Sequence, residues 1–196
     1  FVAPKKYFDL YDREKIEIPE VPIDYLATLP EPAAKSIRAK KDQLNLEKER
    51  AQEIKEAYYA TISFVDAQVG RILDQLEANG LDENTVVVFT SDHGYHMGEH
   101  GHWQKQTLFE NSTRIPLIIS APNSEKKGAI SMSPVELIDL YPTLMDLTNI
   151  HTPRHVVGKS LQPLMKNVNA SVRGSALTRW RNGYSIKTKR YRLTKW

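Results

Sequence analysis

No cysteine occurs among the 196 residues, which excludes disulfides, thiolate metal sites and a cysteine nucleophile within them. The redox compartment therefore goes unread. No apolar stretch approaches the roughly 20 residues of a bilayer-spanning helix, so the sequence offers no membrane partner. Charge of one sign is not in excess either, and a formal net charge of +3 makes no case for nucleic acid. Internal repeats and low-complexity tracts are absent. Phe1 is not an initiator Met, and Phe1-Val2-Ala3-Pro4 carries neither the basic region nor the apolar core of a signal peptide. Tyr191-Arg192-Leu193-Thr194-Lys195-Trp196 reads as a strand cut off mid-pattern. The expectation is an internal fragment of something longer.

What remains is ordinary for a globular protein: 40% hydrophobic and 26% charged residues, in a chain long enough for one sizeable core. One stretch organises the rest. Thr85-Val86-Val87-Val88-Phe89 is short, apolar and rich in β-branched residues, which predicts a buried strand and suits a parallel sheet covered on both faces. Polarity then changes abruptly. Asp92, His93, His96, Glu99, His100, His102 and Lys105 fall within fourteen residues, interleaved with Gly94, Gly98 and Gly101. Ligands of open α/β sheets bind outside the carboxyl ends of strands, which is where this loop would lie.

Residues 1–31 carry prolines at 4, 19, 22 and 30 and little sustained periodicity, so a loop packed across a larger body is expected, with a short helical turn near Tyr7. Residues 34–53 are mostly charged or small and read as a solvated helical or irregular excursion. From Ile54 the pattern sharpens: Ile54, Tyr58, Ile62, Val65, Val69, Ile72, Leu73 and Leu76 recur at helical spacing, and Asn79-Gly80 closes the helix. Helix then strand over a short connection is an α/β unit. Beyond the loop, Ile115-Pro116-Leu117-Ile118-Ile119 predicts a second strand with Pro116 at its start or on an edge, and residues 123–128 a polar turn. Ser133-Pro134-Val135-Glu136 matches a capping box opening a helix to near Asn149, with a kink or break near Tyr141 because of Pro142. Residues 150–172 read as a loop and one helical turn. Tyr184-Ser185-Ile186 and Tyr191-Arg192-Leu193 flank a basic turn and predict a hairpin.

The loop residues have distinct chemistry. Asp92 supplies hard oxygen ligands suited to Ca²⁺ or Mg²⁺. His93 adds a nitrogen that can ligate metal or donate to an anion. Lys105 is a mobile cation suited to an oxyanion. His96, His100 and His102 invite a zinc reading, but their four-residue step is a zinc spacing only on a helix, and the glycines argue against one. A hydrogen-bonded polar loop is the better reading for those three.

The run Thr90-Ser91-Asp92-His93-Gly94-Tyr95-His96-Met97-Gly98-Glu99-His100-Gly101-His102-Trp103-Gln104-Lys105 resembles the second metal-and-sulfate segment of type I sulfatases, most of all their iduronate-2-sulfatase-like branch. Leu108-Phe109-Glu110-Asn111-Ser112-Thr113-Arg114, Phe64-Val65-Asp66-Ala67-Gln68-Val69-Gly70 and Leu137-Ile138-Asp139-Leu140-Tyr141-Pro142-Thr143-Leu144 are similar as well, so the resemblance covers most of residues 54–165. It implies an α/β fold, part of an alkaline-phosphatase-like mixed sheet flanked by helices, with a C-terminal β-hairpin. It implies hydrolysis of sulfate esters, on a sulfated carbohydrate, by a formylglycine nucleophile with Ca²⁺, or alternatively Mg²⁺, at the sulfate. Asp92 and His93 match two metal ligands, with His93 also at the substrate. Lys105 matches the catalytic, sulfate-contacting lysine.

The family's paired Asp ligands and its Cys/Ser-x-Pro-x-Arg motif have no counterpart here. Ser120-Ala121-Pro122-Asn123-Ser124 imitates Ser-x-Pro but lacks the Arg, so no nucleophile is expected in this chain. The formylglycine is expected upstream, and the 196 residues alone are expected to be inactive. The expected organisation is a loop-rich, charged part of the sulfatase domain over 1–53, an α/β portion with half the active site over 54–150, and a C-terminal subdomain begun at 151–196. The resemblance further implies a periplasmic, secreted or lysosomal protein. A phosphonate or phosphodiester hydrolase of the same superfamily and a non-catalytic sulfatase-like domain are the alternatives.

Overall fold

The computed structural model describes every residue except Asn123, Glu125 and Lys126, so the turn expected over 123–128 lies partly outside the described residues. The chain forms two compact units, Phe1–Leu81 with Gly94–Ser112, and Asp82–His93 with Thr113–Trp196.

In the first unit a largely extended N-terminal stretch carries two single-turn helices, α1 (Lys5–Phe8) and α2 (Tyr25–Thr28). Then come α3 (Glu31–Arg38) and the long α4 (Lys48–Ala78). The excursion expected over 34–53 is thus partly packed. Ala33, Ala34 and Ile37 share one buried face of α3 while Lys35 and Arg38 face outward. The N-terminal stretch is held to α4 by polar ties. Gln52 Nε2 donates to the carbonyls of Glu14 at 3.2 Å and Ile16 at 3.0 Å. Arg13 Nη2 pairs with Glu56 at 2.6 Å, and the Tyr11 hydroxyl lies 2.6 Å from Ser63 Oγ.

α4 stops where local chemistry says it must. Leu81 N–H bonds the Leu76 carbonyl and Gly80 N–H the Glu77 carbonyl, a Schellman pair that needs the left-handed φ of +63° at Gly80. Its apolar stripe divides in two. Ile54 and Tyr58 pack against the buried cluster of Ala51, Met97 and Trp103, whereas Ile62, Val65, Ile72 and Leu73 stay exposed.

In the second unit, β1 (Val87–Thr90) pairs with β2 (Leu117–Ser120), with Val87 opposite Ser120 and Thr90 opposite Leu117. The pairing is antiparallel, which corrects the expected parallel arrangement. Phe89 and Ile118 stand opposite each other and exposed, so one face of the pair is open, as antiparallel ladders permit. Pro116 sits just before β2, where its missing N–H breaks no ladder bond. The single turn α5 (Glu110–Thr113) precedes β2 in the chain.

The next helix starts later than its sequence suggests. Leu137–Asp139 is a 3₁₀ turn running into α6 (Leu140–Leu147), and the capping box is formed by Glu136 and Asp139, not by Ser133 and Glu136. Pro142 therefore falls in the first turn of α6, where an N–H has no helical partner to lose. Asn149, at φ +57°, ends α6 with a second Schellman pair, Ile150 N–H to Met145 O and Asn149 N–H to Asp146 O. Gly158 passes so close to the turn before α6 that a Cβ there would lie 1.9 Å from the Ile138 carbonyl oxygen. No other residue fits that position.

After α7 (Gln162–Lys166) the chain ends in a three-stranded antiparallel sheet of β3 (Ala176–Trp180), β4 (Gly183–Lys187) and β5 (Arg192–Lys195). The β4–β5 hairpin is the expected one, closed by Thr188 N–H to the Tyr191 carbonyl at 2.8 Å. β3 adds a strand that its own sequence does not announce.

Candidate active site

The end of β1 is tied down before the polar loop begins. Thr90 Oγ1 donates to the Pro116 carbonyl at 2.9 Å. Ser91 Oγ donates to the His93 carbonyl at 2.7 Å, and Asp92 Oδ1 accepts the His93 N–H at 3.1 Å. These local bonds turn the other carboxylate oxygen, Oδ2, toward His93 Nε2 at 3.3 Å, with the Asp92 side chain 82% exposed. Two ligands of one cation, each about 2.3 Å from it and at right angles, stand about that far apart. The donor set, one hard oxygen and one imidazole nitrogen, thus fits part of a site for a divalent cation. Among the described residues no group of three or more histidine or carboxylate side chains is placed to hold a metal ion. A cation site built on this pair would need further ligands.

Asp92 and His93 stand together in the second unit; Lys105 stands in the first and is exposed. Its loop is a small antiparallel ladder, with His96 N–H donating to the Gln104 carbonyl and Gly98 N–H to the His102 carbonyl, both at 3.0 Å. Three positive-φ positions close it: Gly98 at φ +105°, His100 at +59° and Gly101 at +69°. A Cβ on Gly98 would come within 3.1 Å of both Pro19 and Trp103, so this glycine serves close packing as well as the turn.

His96, His100 and His102 pack together; His96 and His100 take side-chain hydrogen bonds, while His96 Nδ1 and His102 Nε2 are buried without a partner among the described residues. The His96 and His102 rings meet edge to face at 4.9 Å, and His100 stacks on Phe109 at 4.1 Å. His96 Nε2 lies 2.9 Å from Thr107 Oγ1, and His100 Nδ1 bonds the Tyr25 hydroxyl. Burial is the first cause of low proton affinity in all three. It pushes His96 down to about 3, helped by the neighbouring rings of His102 and His100. It pushes His102 down to about 4, and lowers His100 as well. Thr107, Ser112 and Tyr25 are the supporting residues that sequence reasoning missed; a hydroxyl eleven residues from its histidine carries no local signal.

This cluster sets an acid limit on stability. The two rings fold with values below the 6.5 of an exposed histidine, so the unfolded chain binds more protons at acid pH. The stabilisation is complete above about pH 6.5 and is lost progressively as pH falls toward 4 and then 3. Thermal unfolding followed from neutral pH downward should show Tm declining below about pH 6.5, with a smaller decline in His102→Gln. A profile equally steep in the variant would exclude His102 as a contributor.

Comparison with known proteins gives the loop its setting. The sequence matches the family described as Sulfatase over residues 5–150. The chain belongs to the sulfatase family. It is 34% identical to a sulfatase of Formosa agariphila over 97% of its own length, and 33% identical to human iduronate 2-sulfatase over 78%. It spans 38% of the first of these relatives and 34% of the second. Among solved structures, the phosphonate monoester hydrolase of Silicibacter pomeroyi superposes with a TM-score of 0.88 at 26% identity, covering 99% of this chain and 44% of that one. The fold is thus the α/β, alkaline-phosphatase-like fold of the sulfatases, seen in part. Asp92, His93 and Lys105 all fall inside the stretch that matches the family.

Proposed function

We propose that this chain is the C-terminal-side part of a sulfuric ester hydrolase acting on a sulfated sugar, and that it carries half of the active site. The observation that carries the reading is the Asp92–His93 pair just past β1, two convergent donors within a sequence that matches the sulfatase family. Asp92 and His93 would hold a Ca²⁺ ion, or Mg²⁺ in its place, completed by ligands from outside these residues. A cation held there would neutralise sulfate oxygens, and the attacking hydroxyl would come from a formylglycine outside this chain. The carboxylate of Asp92 contributes negative charge and His93 a neutral nitrogen, each oriented by the bonds around Ser91. Lys105 places a positive charge where the departing oxygen becomes negative, stabilising the transition state more than the bound ester.

Kinship to iduronate 2-sulfatase, whose name gives a sugar acid as its target, supports a sulfated carbohydrate substrate. A periplasmic, secreted or lysosomal location accords with such a substrate. The likeness to a phosphonate monoester hydrolase keeps a second reading open, since a cation and a lysine serve phosphoryl groups equally well. One assay separates them. The protein extended to the length of its relatives should release sulfate from sulfated monosaccharides, lose this on chelation and regain it with Ca²⁺. The isolated 196 residues should show no turnover. Faster cleavage of phosphonate esters than of any sulfate ester would overturn the sulfatase assignment.

A further inference from the structure

Lys105 is the one exposed side chain in a stretch otherwise packed inward. His102, Trp103 and Gln104 before it are buried, as are Thr107 and Leu108 after it. The backbone around it is gripped at two points, and both grips come from a single residue. His96 N–H holds the Gln104 carbonyl at 3.0 Å, one residue before Lys105. The ring of the same residue holds Thr107 Oγ1 at 2.9 Å, two residues after it. Between these points Thr107 N–H bonds the Lys105 carbonyl at 2.8 Å, closing a three-residue turn that begins at the lysine and has Gln106 at its centre.

The second grip is itself anchored. Thr107 Oγ1 donates to Ser112 Oγ at 3.2 Å and accepts the Phe109 N–H at 3.3 Å. The Ser112 carbonyl accepts the Gly94 N–H at 2.9 Å, which returns the chain to the start of the loop. His96 cannot swing away from this junction. It is fully buried, with His102, His100 and Phe109 set edge to face around it at 4.9, 5.7 and 6.0 Å. With the Thr107 proton given to Ser112, the neutral ring donates from Nε2–H, so the clamp needs one tautomer and no charge.

We propose that His96 is a positioning residue for catalysis, which fixes Lys105 through its backbone bond to Gln104 and its ring bond to Thr107. The inference rests on the reading of Lys105 as the sulfate-contacting lysine. A flexible lysine stem gains precision at its tip only if its Cα is fixed, and a misplacement of about 1 Å at a reacting centre costs on the order of 10²-fold in rate. His96 and Thr107 touch no substrate. They act on the transition state through Lys105.

The test uses the enzyme at the length of its relatives, with aryl and alkyl sulfate esters of differing leaving-group basicity. Thr107→Val should lower kcat by roughly 10- to 100-fold with KM changed only a few-fold, and most for the poorest leaving groups. Thr107→Ser, which keeps the hydroxyl, should restore most of the rate, as His96→Gln should in place of His96→Leu. The decisive comparison is made in a Lys105→Ala background, where Thr107→Val should cost nothing further. If Thr107→Val lowers kcat as much there as in the parent, its role is structural and the inference fails. If Lys105→Ala itself leaves kcat/KM within a few-fold, it is the reading of Lys105 that falls. Should His96→Leu not fold, the Thr107 pair still decides the matter.

Discussion

Asp92→Ala, in the enzyme at the length of its relatives, should lower kcat/KM by about 10³-fold or more and leave the metal-free fold intact, because the cation's charge stabilisation would go with its ligand. The fold should survive because the Asp92 side chain is 82% exposed and, among the described residues, its bonds reach only Ser91 and His93. Substitutions at such positions change stability by about 0.5 kcal/mol or less. Asp92→Asn should fall between the two, since it keeps an oxygen donor and gives up the charge. A second readout is independent of turnover. A ligand at about 100 times its Kd stabilises the folded state by about 2.7 kcal/mol, so Ca²⁺ should raise the Tm of the parent and not of Asp92→Ala. The assignment of Asp92 would be lost if the variant kept kcat/KM within a few-fold and still gained Tm from Ca²⁺.

How much of this was readable in advance depends on how far apart the interacting residues lie. The end of α4 was legible because Asn79 and Gly80 act on carbonyls only a few residues back. The end of the next helix at Asn149 was legible for the same reason. Its start was not. Two overlapping capping signals compete there, and Glu136 prevails because its carboxylate also reaches the distant Arg173 and Leu177 N–H. The direction of β1 against β2 was misread, and so was its burial, since an apolar run reports neither the sense of its partner nor a face left open. β3 escaped notice because it is stabilised by pairing with β4, which the five residues themselves do not encode.

The loop shows the same division. Its glycines announced turns, and three of the loop's positions do take positive φ. Asp92 and His93 drew attention by directly following a strand, and the structure has them directly past β1. The intervening glycines announced that the histidines share no α-helix, yet nothing local showed that His96 would close on Thr107 or His100 on Tyr25. Pairings across 11 and 75 residues are products of packing.

The largest stability loss should come from Asp139, far along the chain from the chemistry. Its side chain is fully buried, and Arg173, itself only 12% exposed, grips both carboxylate oxygens in a two-pronged pair. Lys159 N–H donates to Oδ1 at 2.8 Å and Glu136 N–H to Oδ2 at 2.9 Å, so every lone-pair direction is used. Glu136 joins the network, accepting from Arg173 Nη1 and from Leu177 N–H, both at 2.6 Å. One carboxylate thus ties together the start of α6, the chain after Gly158 and the approach to β3. Asp139→Ala leaves a mostly buried guanidinium and two part-buried N–H groups without that partner, and breaking such a pair from one side costs about 3–5 kcal/mol when it is buried. At about 2–4 °C per kcal/mol, Tm should fall by roughly 6–20 °C. The intrinsic worth of the pair is smaller, because each ion was desolvated to form it. Removing both partners as Asp139→Ala with Arg173→Met should therefore destabilise less than the two single substitutions added together. Urea unfolding of the four proteins gives the comparison. A loss below about 1 kcal/mol for Asp139→Ala would mean that water replaces the carboxylate, and that the network is not the fastening it is taken to be here.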